Sequence, residues 1–219
     1  MHENVAIVIP ALDKNQYYPE GDLVRFGDTT LLEWKISQVL GVVKNENIYV
    51  ATPSEKIITL AGEYGIETIK RGKESDPSDW IPKCIEPISN KNILWAHVTA
   101  PFISASDYTA MLKKFFSLDE VHDSLIAVYK EQEYICFQNK PLNFDIDDYK
   151  RRTSLKPVYR ITNGCYISQK ETYRQNRKYF GQSPYYFEVD QLTALEIKDI
   201  DHYQMALSLL SLYFKIKEI

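Results

Sequence analysis

The chain has 219 residues, with 26 Lys plus Arg against 30 Asp plus Glu, a formal charge of −4, 44% hydrophobic and 26% charged residues. These are globular proportions over a length that buries a core as a single domain, and they exclude collagen-like repeats and wholesale disorder. The mild acidity argues against the clustered basic surface that nucleic acid requires, yet leaves room for a small anionic ligand held by local basic groups. Cys84, Cys136 and Cys165 form no CxxC pair, which suits a reducing, cytoplasmic setting. No apolar run reaches the roughly 20 residues of a membrane helix. With eight glycines the chain holds no GxGxxG and no GxxxxGK[ST], so the usual dinucleotide and P-loop fingerprints are missing.

Taken in order, Val5 to Ile9 is a continuous apolar run ended by Pro10, as in a strand buried on both faces. A long polar stretch follows, and helical spacing then predicts a helix from Thr30 to Leu40 with Gly41 as its stop. Asn47 to Ala51 predicts a second strand, Ser54 to Tyr64 a capped helix ended by Gly65, and Ile66 to Ile69 a third strand. A helix over Asp79 to Ile88 would carry Pro82 in its first turn. Ile93 to Val98 predicts a strand, Ser106 or Asp107 opens a helix to Phe116, and Ser124 to Tyr129 predicts another strand. This alternation implies an α/β fold, a mostly parallel Rossmann-like sheet with helices on both faces.

The pattern then changes. Glu133 to Phe137, Val158 to Ile161 and Cys165 to Ser168 read as strands with no helix between them, around a polar segment, Asn143 to Arg152, that suits a projecting arm. Gln169 to Tyr179 reads as a helix, Tyr185 to Val189 and Ala194 to Ile197 as strands, and Asp201 to Lys215 as a final amphipathic helix.

Ligands of open parallel sheets bind beyond the carboxyl ends of the strands. That rule selects residues 10–28, Thr52, residues 70–76 and residues 99–102. The first of these loops is long, and Lys14, Asn15 and Gln16 supply donors for an anion. His97, at the end of an apolar strand, reads as a satisfied core histidine. Trp34, Trp80 and Trp95 read as core or edge residues. Asp145-Ile146-Asp147-Asp148 imitates a metal motif within an exposed loop.

The ordered segments VAIVIPA, TTLLEWKI, NIYVAT, YGIETIKRG, ILWAHVTAPFIS, DSLIAVYKEQEY, RRTSLKPVYRITNGCYIS and ALEIKDIDHYQMA resemble the acylneuraminate cytidylyltransferase family. The resemblance covers nearly the whole chain. It implies a nucleotide-diphospho-sugar transferase type of fold, and an enzyme that joins CTP to an acidic, sialic acid-like sugar with release of pyrophosphate. It further implies a homodimer built through an arm near residues 133–162. Pro10, Ala11, Lys14, Asn15, Gln16, Arg71 and Thr99 would then contact the nucleotide, and Arg152 and Asn163 the sugar acid. Lys14 and Lys198 would serve catalysis as charge-neutralising groups. Arg71 is alternatively a surface charge, and Asn163-Gly164 a tight turn.

The chain departs from the family in two places. In the first loop Leu12 stands where the family has Arg and Gly21 where it has a second Lys, so Lys14 is the only cation before Arg25. In ALEIKDIDHYQMA, Glu196 and Lys198 fall on the positions of the family's paired carboxylates. Those carboxylates hold Mg²⁺ at the phosphates. Glu196, Asp199 and Asp201 remain as metal ligands, Asp199 and Asp201 alternatively cap the final helix, and Lys198 alternatively replaces the metal's charge. The expected partners are thus CTP and an acidic sugar, with no nucleic acid and no membrane. A catalytically degenerate nucleotide- or sugar-binding homologue is the second reading. A glycosyltransferase of related topology is the third.

Overall fold

A computed structural model of the chain describes residues 4–15, 18–72 and 76–217. Val5–Pro10 forms β1, buried along its whole length. Its side chains alternate between two cores, Val5, Ile7 and Ile9 toward one and Ala6 and Val8 toward the other. A strand of this kind needs cover on both faces, and the helices supply it.

A two-strand ribbon, β2 (Arg25–Phe26) and β3 (Thr29–Thr30), leads into α1 (Leu31–Leu40). Thr30 and Glu33 close a reciprocal capping box at its start. The order continues with β4 (Ile48–Thr52), α2 (Glu55–Glu63), β5 (Glu67–Lys70), α3 (Pro77–Ile85), β6 (Asn92–Ala96) and α4 (Ala105–Phe116). Next come β7 (Ser124–Glu131), β8 (Cys136–Phe137), β9 (Lys140–Pro141), β10 (Val158–Gln169), α5 (Lys170–Asn176), β11 (Pro184–Glu188) and α6 (Ile200–Lys217). The main sheet has seven strands in the order β11-β7-β10-β6-β1-β4-β5. Only β10 runs antiparallel to its neighbours.

One core gathers Leu31, Leu32, Ile36 and Val39 of α1, Ile57 of α2, Met111 and Leu112 of α4 and Ala206 of α6. The other gathers Trp80, Ile81 and Ile85 of α3 and Tyr173 of α5. Each fully buried Leu or Ile contributes about 1.5–3 kcal/mol. The expected mostly parallel, doubly covered sheet is therefore present.

Several elements differ from the sequence reading. Ser104, not Ser106 or Asp107, caps α4, and Asp107 is its reciprocal partner three residues on. Helix α3 begins at Pro77, so Pro82 lies inside it. The segments 158–161 and 165–168 belong to one long strand, β10, whose register shifts between Ile161 and Tyr166. Residues 194–197 form no strand; Ile197 N–H instead donates to Thr99 O at 2.8 Å, laying this stretch beside the end of β6.

Between β7 and β10 the chain loops out. The strand expected over 133–137 shrinks to the hairpin β8–β9, turned by Gln138 and Asn139 at φ 49° and 62°. The loop is tied at its own base: Asn143 Nδ2 donates to Glu133 O (2.8 Å) and Lys156 O (3.0 Å). Asp145 to Asp148 are exposed, as expected of a loop. No helix among the described residues is long and apolar enough to cross a membrane.

Candidate functional site

The parallel strands β1, β4, β5 and β6 end at one edge of the sheet. Because β10 is antiparallel, with Cys165 paired to Ala96, it brings Asn163 to that same edge. A crevice of about 270 Å³ opens there, lined by Pro10, Leu12, Asp22, Arg71, Trp80, His97, Thr99, Asn163 and Tyr179, with Pro77 and Val98 completing it. Residues distant in the sequence meet here because the ends of β1, β5 and β6 and the middle of β10 do.

The β1–α1 loop forms one side and is folded on itself. Leu12 N–H donates to Asp22 Oδ2 at 2.8 Å, and Asp22 N–H returns a bond to Leu12 O at 2.8 Å. Gly21 makes this possible. Its φ is +56°, and a Cβ there would stand 2.3 Å from Leu12 O and 2.5 Å from Lys14 N. Ser54, at the N-terminus of α2, does not cap its own helix but donates its hydroxyl to Asp13 Oδ2 at 2.7 Å. Asn15 Oδ1 accepts Tyr18 N–H at 2.9 Å.

The opposite side is aromatic. The Arg71 guanidinium lies over the Trp80 ring, 3.9 Å from its centroid. Tyr179 stacks on Tyr166 at 4.9 Å and stands edge-on to His97 at 4.8 Å. Asn163 Oδ1 accepts the Tyr166 hydroxyl at 3.0 Å.

His97 is buried, but it is not the satisfied core histidine that the sequence suggested. Neither ring nitrogen has a hydrogen-bond partner among the described residues, and neither does Thr99 Oγ1. Burial first, then the nearby cations Lys35 and Arg71, pull the His97 pKa down to about 3, so the ring is neutral. Burial raises Asp22 to about 7, opposed by the Leu12 N–H and by Arg71.

Behind the crevice, α1 grips the segment that follows β6. Trp34 Nε1 and Gln38 Nε2 each donate to Pro101 O at 2.6 Å, and Lys35 Nζ donates to Ala100 O at 2.8 Å. Gly164 packs against this segment from β10; a Cβ there would meet Ile103 Cδ1 at 2.1 Å. Its glycine therefore serves a close approach, not the turn that Asn-Gly suggests.

Of the residues expected at the site, Pro10, Arg71, Thr99 and Asn163 line the crevice. Ala11 is buried beside it, donating its N–H to Ala51 O. Lys14 is exposed and does not line it, Asn15 is held within its loop, and Gln16 lies outside the described residues. Arg152 does not line it either: it sits in the exposed loop, 2.9 Å from Glu133. Lys198 pairs with Glu196 at 3.4 Å, and both line a separate groove with Arg160 and His202. Asp22, Trp80, His97 and Tyr179 join the crevice without having been singled out as site residues.

The residues expected to hold Mg²⁺ do not fit a divalent cation. Asp199 caps α6 by accepting His202 N–H at 2.9 Å, and its Oδ1 lies 2.6 Å from His202 Nδ1. Glu196 already faces the Lys198 ammonium. Asp201 is exposed in the first turn of α6. Among the described residues no three His, Cys, Asp or Glu side chains gather around a cation position.

Comparison with known proteins agrees with this fold. The chain is 20% identical to the N-acylneuraminate cytidylyltransferase of Streptococcus agalactiae serotype V over 96% of its own length and 54% of that protein's. It thus spans about half the length of the curated relatives it matches. Its fold is similar to that of CMP:2-keto-3-deoxy-manno-octonic acid synthetase complexed with CTP, with TM-score 0.70, 13% identity, and 96% and 99% of the two chains covered. It is similar also to 4-diphosphocytidyl-2C-methyl-D-erythritol synthase from Anaerococcus prevotii, with TM-score 0.69, 14% identity, and 94% and 96% covered. Residues 18–218 match the cytidylyltransferase family, and the chain belongs to it.

Proposed function

We propose that the chain transfers cytidylate from CTP to an acidic sugar of the sialic acid-like class, giving a CMP-sugar and pyrophosphate. The observation that carries this reading is the crevice at the carboxyl rim, where Pro10, Arg71 and Thr99 from the ends of β1, β5 and β6 converge with Asn163 from the middle of β10. Family membership and the curated relatives' names supply the nucleotide and the sugar class.

In this reading the acceptor oxygen attacks the α-phosphorus of CTP in line. A new O–P bond forms, the bond to the β-phosphate oxygen breaks, pyrophosphate leaves with the electron pair, and the acceptor hydroxyl gives up its proton to water. The protein's task is positioning and charge neutralisation, with no covalent intermediate. Arg71, stacked on Trp80, supplies a fixed positive charge in the wall. The uncharged groups His97, Thr99 and Asn163 offer hydrogen bonds to the hydroxyl-bearing acceptor. No step is assigned to Mg²⁺, because Glu196, Asp199 and Asp201 are otherwise engaged or apart.

The second copy of a homodimer would cover the loop between β7 and β10, where Phe137, Leu142, Ile146 and Tyr149 are exposed. Light scattering of the wild type and of a chain with Ile146→Asp and Tyr149→Ser tests this. A monomeric wild type refutes the pairing.

Turnover is tested by pyrophosphate release from CTP with N-acetylneuraminate or 3-deoxy-manno-octulosonate as acceptor. Release that requires both substrates supports the reading. CTP binding without release supports the catalytically degenerate homologue, for which the altered first loop and Lys198 are the motive.

A further inference from the structure

Helix α1 carries its apolar stripe on Leu31, Leu32, Ile36 and Val39, and Lys35 sits in the middle of that stripe. Its side chain is completely buried. Nζ donates to Ala100 O at 2.8 Å and to the Tyr108 hydroxyl at 2.9 Å, both neutral acceptors. The Tyr108 hydroxyl in turn reaches Gly164 O at 3.4 Å. Ala100 follows Thr99 and Gly164 follows Asn163, so Lys35 stands directly behind two of the segments that line the crevice.

Fully buried lysines are rare, because removing an ammonium from water is costly unless an opposite charge offsets it. Two neutral oxygens offset only part of that cost. Among the described residues, meanwhile, the crevice is poor in cations for a polyphosphate. Lys14 is exposed outside it, Leu12 lines it, and Arg71 is the one charged base among its described lining residues.

We propose that Lys35 is a positioning residue for the nucleotide, a cation held behind the crevice floor that raises its affinity for a polyphosphate without touching it. The proposal rests on the cytidylyltransferase reading and adds a residue and a proton linkage to it.

The linkage follows from reciprocity. If the buried charge favours the anion, the anion favours the charged form of Lys35. Burial holds Lys35 near pKa 7, with Cys165 of β10 and Asp107 of α4 opposing. The other titratable groups facing it are Tyr108 of α4 and His97 beyond β6, which feels its charge. Below pH 7 the ammonium is present in the free protein and affinity is full. Above pH 7 the free protein loses that proton and CTP must draw it back, so affinity falls as pH rises. Asp22, raised to about 7 in the crevice itself, would also take up a proton when an anion binds. The Lys35 share is therefore read as a difference between variants.

The experiment is calorimetric titration of the full chain with CTP, at pH 6.5 to 9 and in buffers of differing ionisation enthalpy, for the wild type, Lys35→Met and Asp22→Asn. Lys35→Met keeps the packing volume and removes the charge. We expect it to weaken CTP binding about tenfold at pH 6.5, to lose that deficit by pH 9, and to take up fewer protons at pH 8. Asp22→Asn should retain the Lys35 uptake at pH 8, which keeps the proposal open to refutation even where Lys35→Met fails to fold. Equal proton uptake in the wild type and Lys35→Met, or no uptake at pH 8 in Asp22→Asn, overturns the proposal while leaving the cytidylyltransferase reading intact. A wild type that binds no CTP at any pH overturns both.

Discussion

Replacing His97 by Phe separates a binding residue from a packing residue, because the two roles move stability and function in opposite directions. The imidazole is 8% exposed, touches Tyr179 and Tyr166 edge-on, and leaves both nitrogens without a partner among the described residues. An unpaired buried donor and acceptor together cost about 1–3 kcal/mol. A phenyl ring keeps the edge contacts and removes that cost, while its extra volume returns about 1 kcal/mol of strain. The net expectation at pH 7 is a gain of about 1 kcal/mol, or about 2–4 °C in Tm for a chain of this length. The pH dependence is sharper. The folded pKa is about 3 and the ordinary value is 6.5, so the unfolded chain binds the proton first as pH falls. Wild-type stability is therefore complete above pH 6.5 and declines toward pH 3, with a histidine contribution of about 2 kcal/mol lost between pH 7 and pH 5. His97→Phe should lack that contribution, as urea unfolding at the two pH values would show, and should raise the acceptor KM. A variant less stable than wild type at pH 7, with the same loss on acidification, refutes the reasoning: it would mean that the imidazole is paired or charged in solution.

Gly21→Ala places a Cβ against the backbone of Leu12 and Lys14 at φ +56°, where neither contact can yield; a loss of about 2–4 kcal/mol in urea unfolding is expected. Arg71→Ala removes the cation over Trp80 and should weaken CTP binding about tenfold by calorimetry, with little change in Tm. Asp199→Ala removes the acceptor of His202 N–H at the start of α6. It should lower Tm in thermal unfolding while leaving the Mg²⁺ response of turnover unchanged, whereas a metal ligand would alter that response.

The parts of this fold that were legible in the sequence are those fixed by local periodicity. Val5 to Ile9 reads as doubly buried because both faces are covered, and the helical spacing from Thr30 to Leu40 matches α1, which Thr30 caps. Errors arose where a local signal served a distant contact. Asn163-Gly164 looked like a turn and split β10 in two, but Gly164 is small because Ile103 and Ala100 press on it. Ala194 to Ile197 alternates like a strand, yet its backbone bonds to Thr99 O instead of joining the sheet. The carboxyl-end rule found Pro10, Arg71 and Thr99, since it needs only strand direction. The same rule included Asp22 within its first loop, whereas Trp80 and Tyr179 escaped it because each arrives from a helix or loop whose path the sequence does not print. Lys35 did leave a signal: it stands four residues after Leu31, on a stripe that is otherwise apolar.

The electrostatics of the first loop illustrate why formal charge misleads. By composition the loop sets Asp13, Glu20 and Asp22 against Lys14, which reads as hostile to a triphosphate. In the folded chain these acids are not equivalent. Asp13 is tied to the Ser54 hydroxyl, Glu20 is exposed to water, and Asp22 is buried and raised to about 7. Water screens Glu20, whereas Asp22 faces the crevice with little screening, so Asp22 decides the local field. An anion entering beside it would push its pKa higher still and neutralise it, while Arg71 across the crevice cannot lose its proton. The repulsion counted from the sequence is therefore the one that ligand binding itself removes, and the attraction from Arg71 is the one that persists.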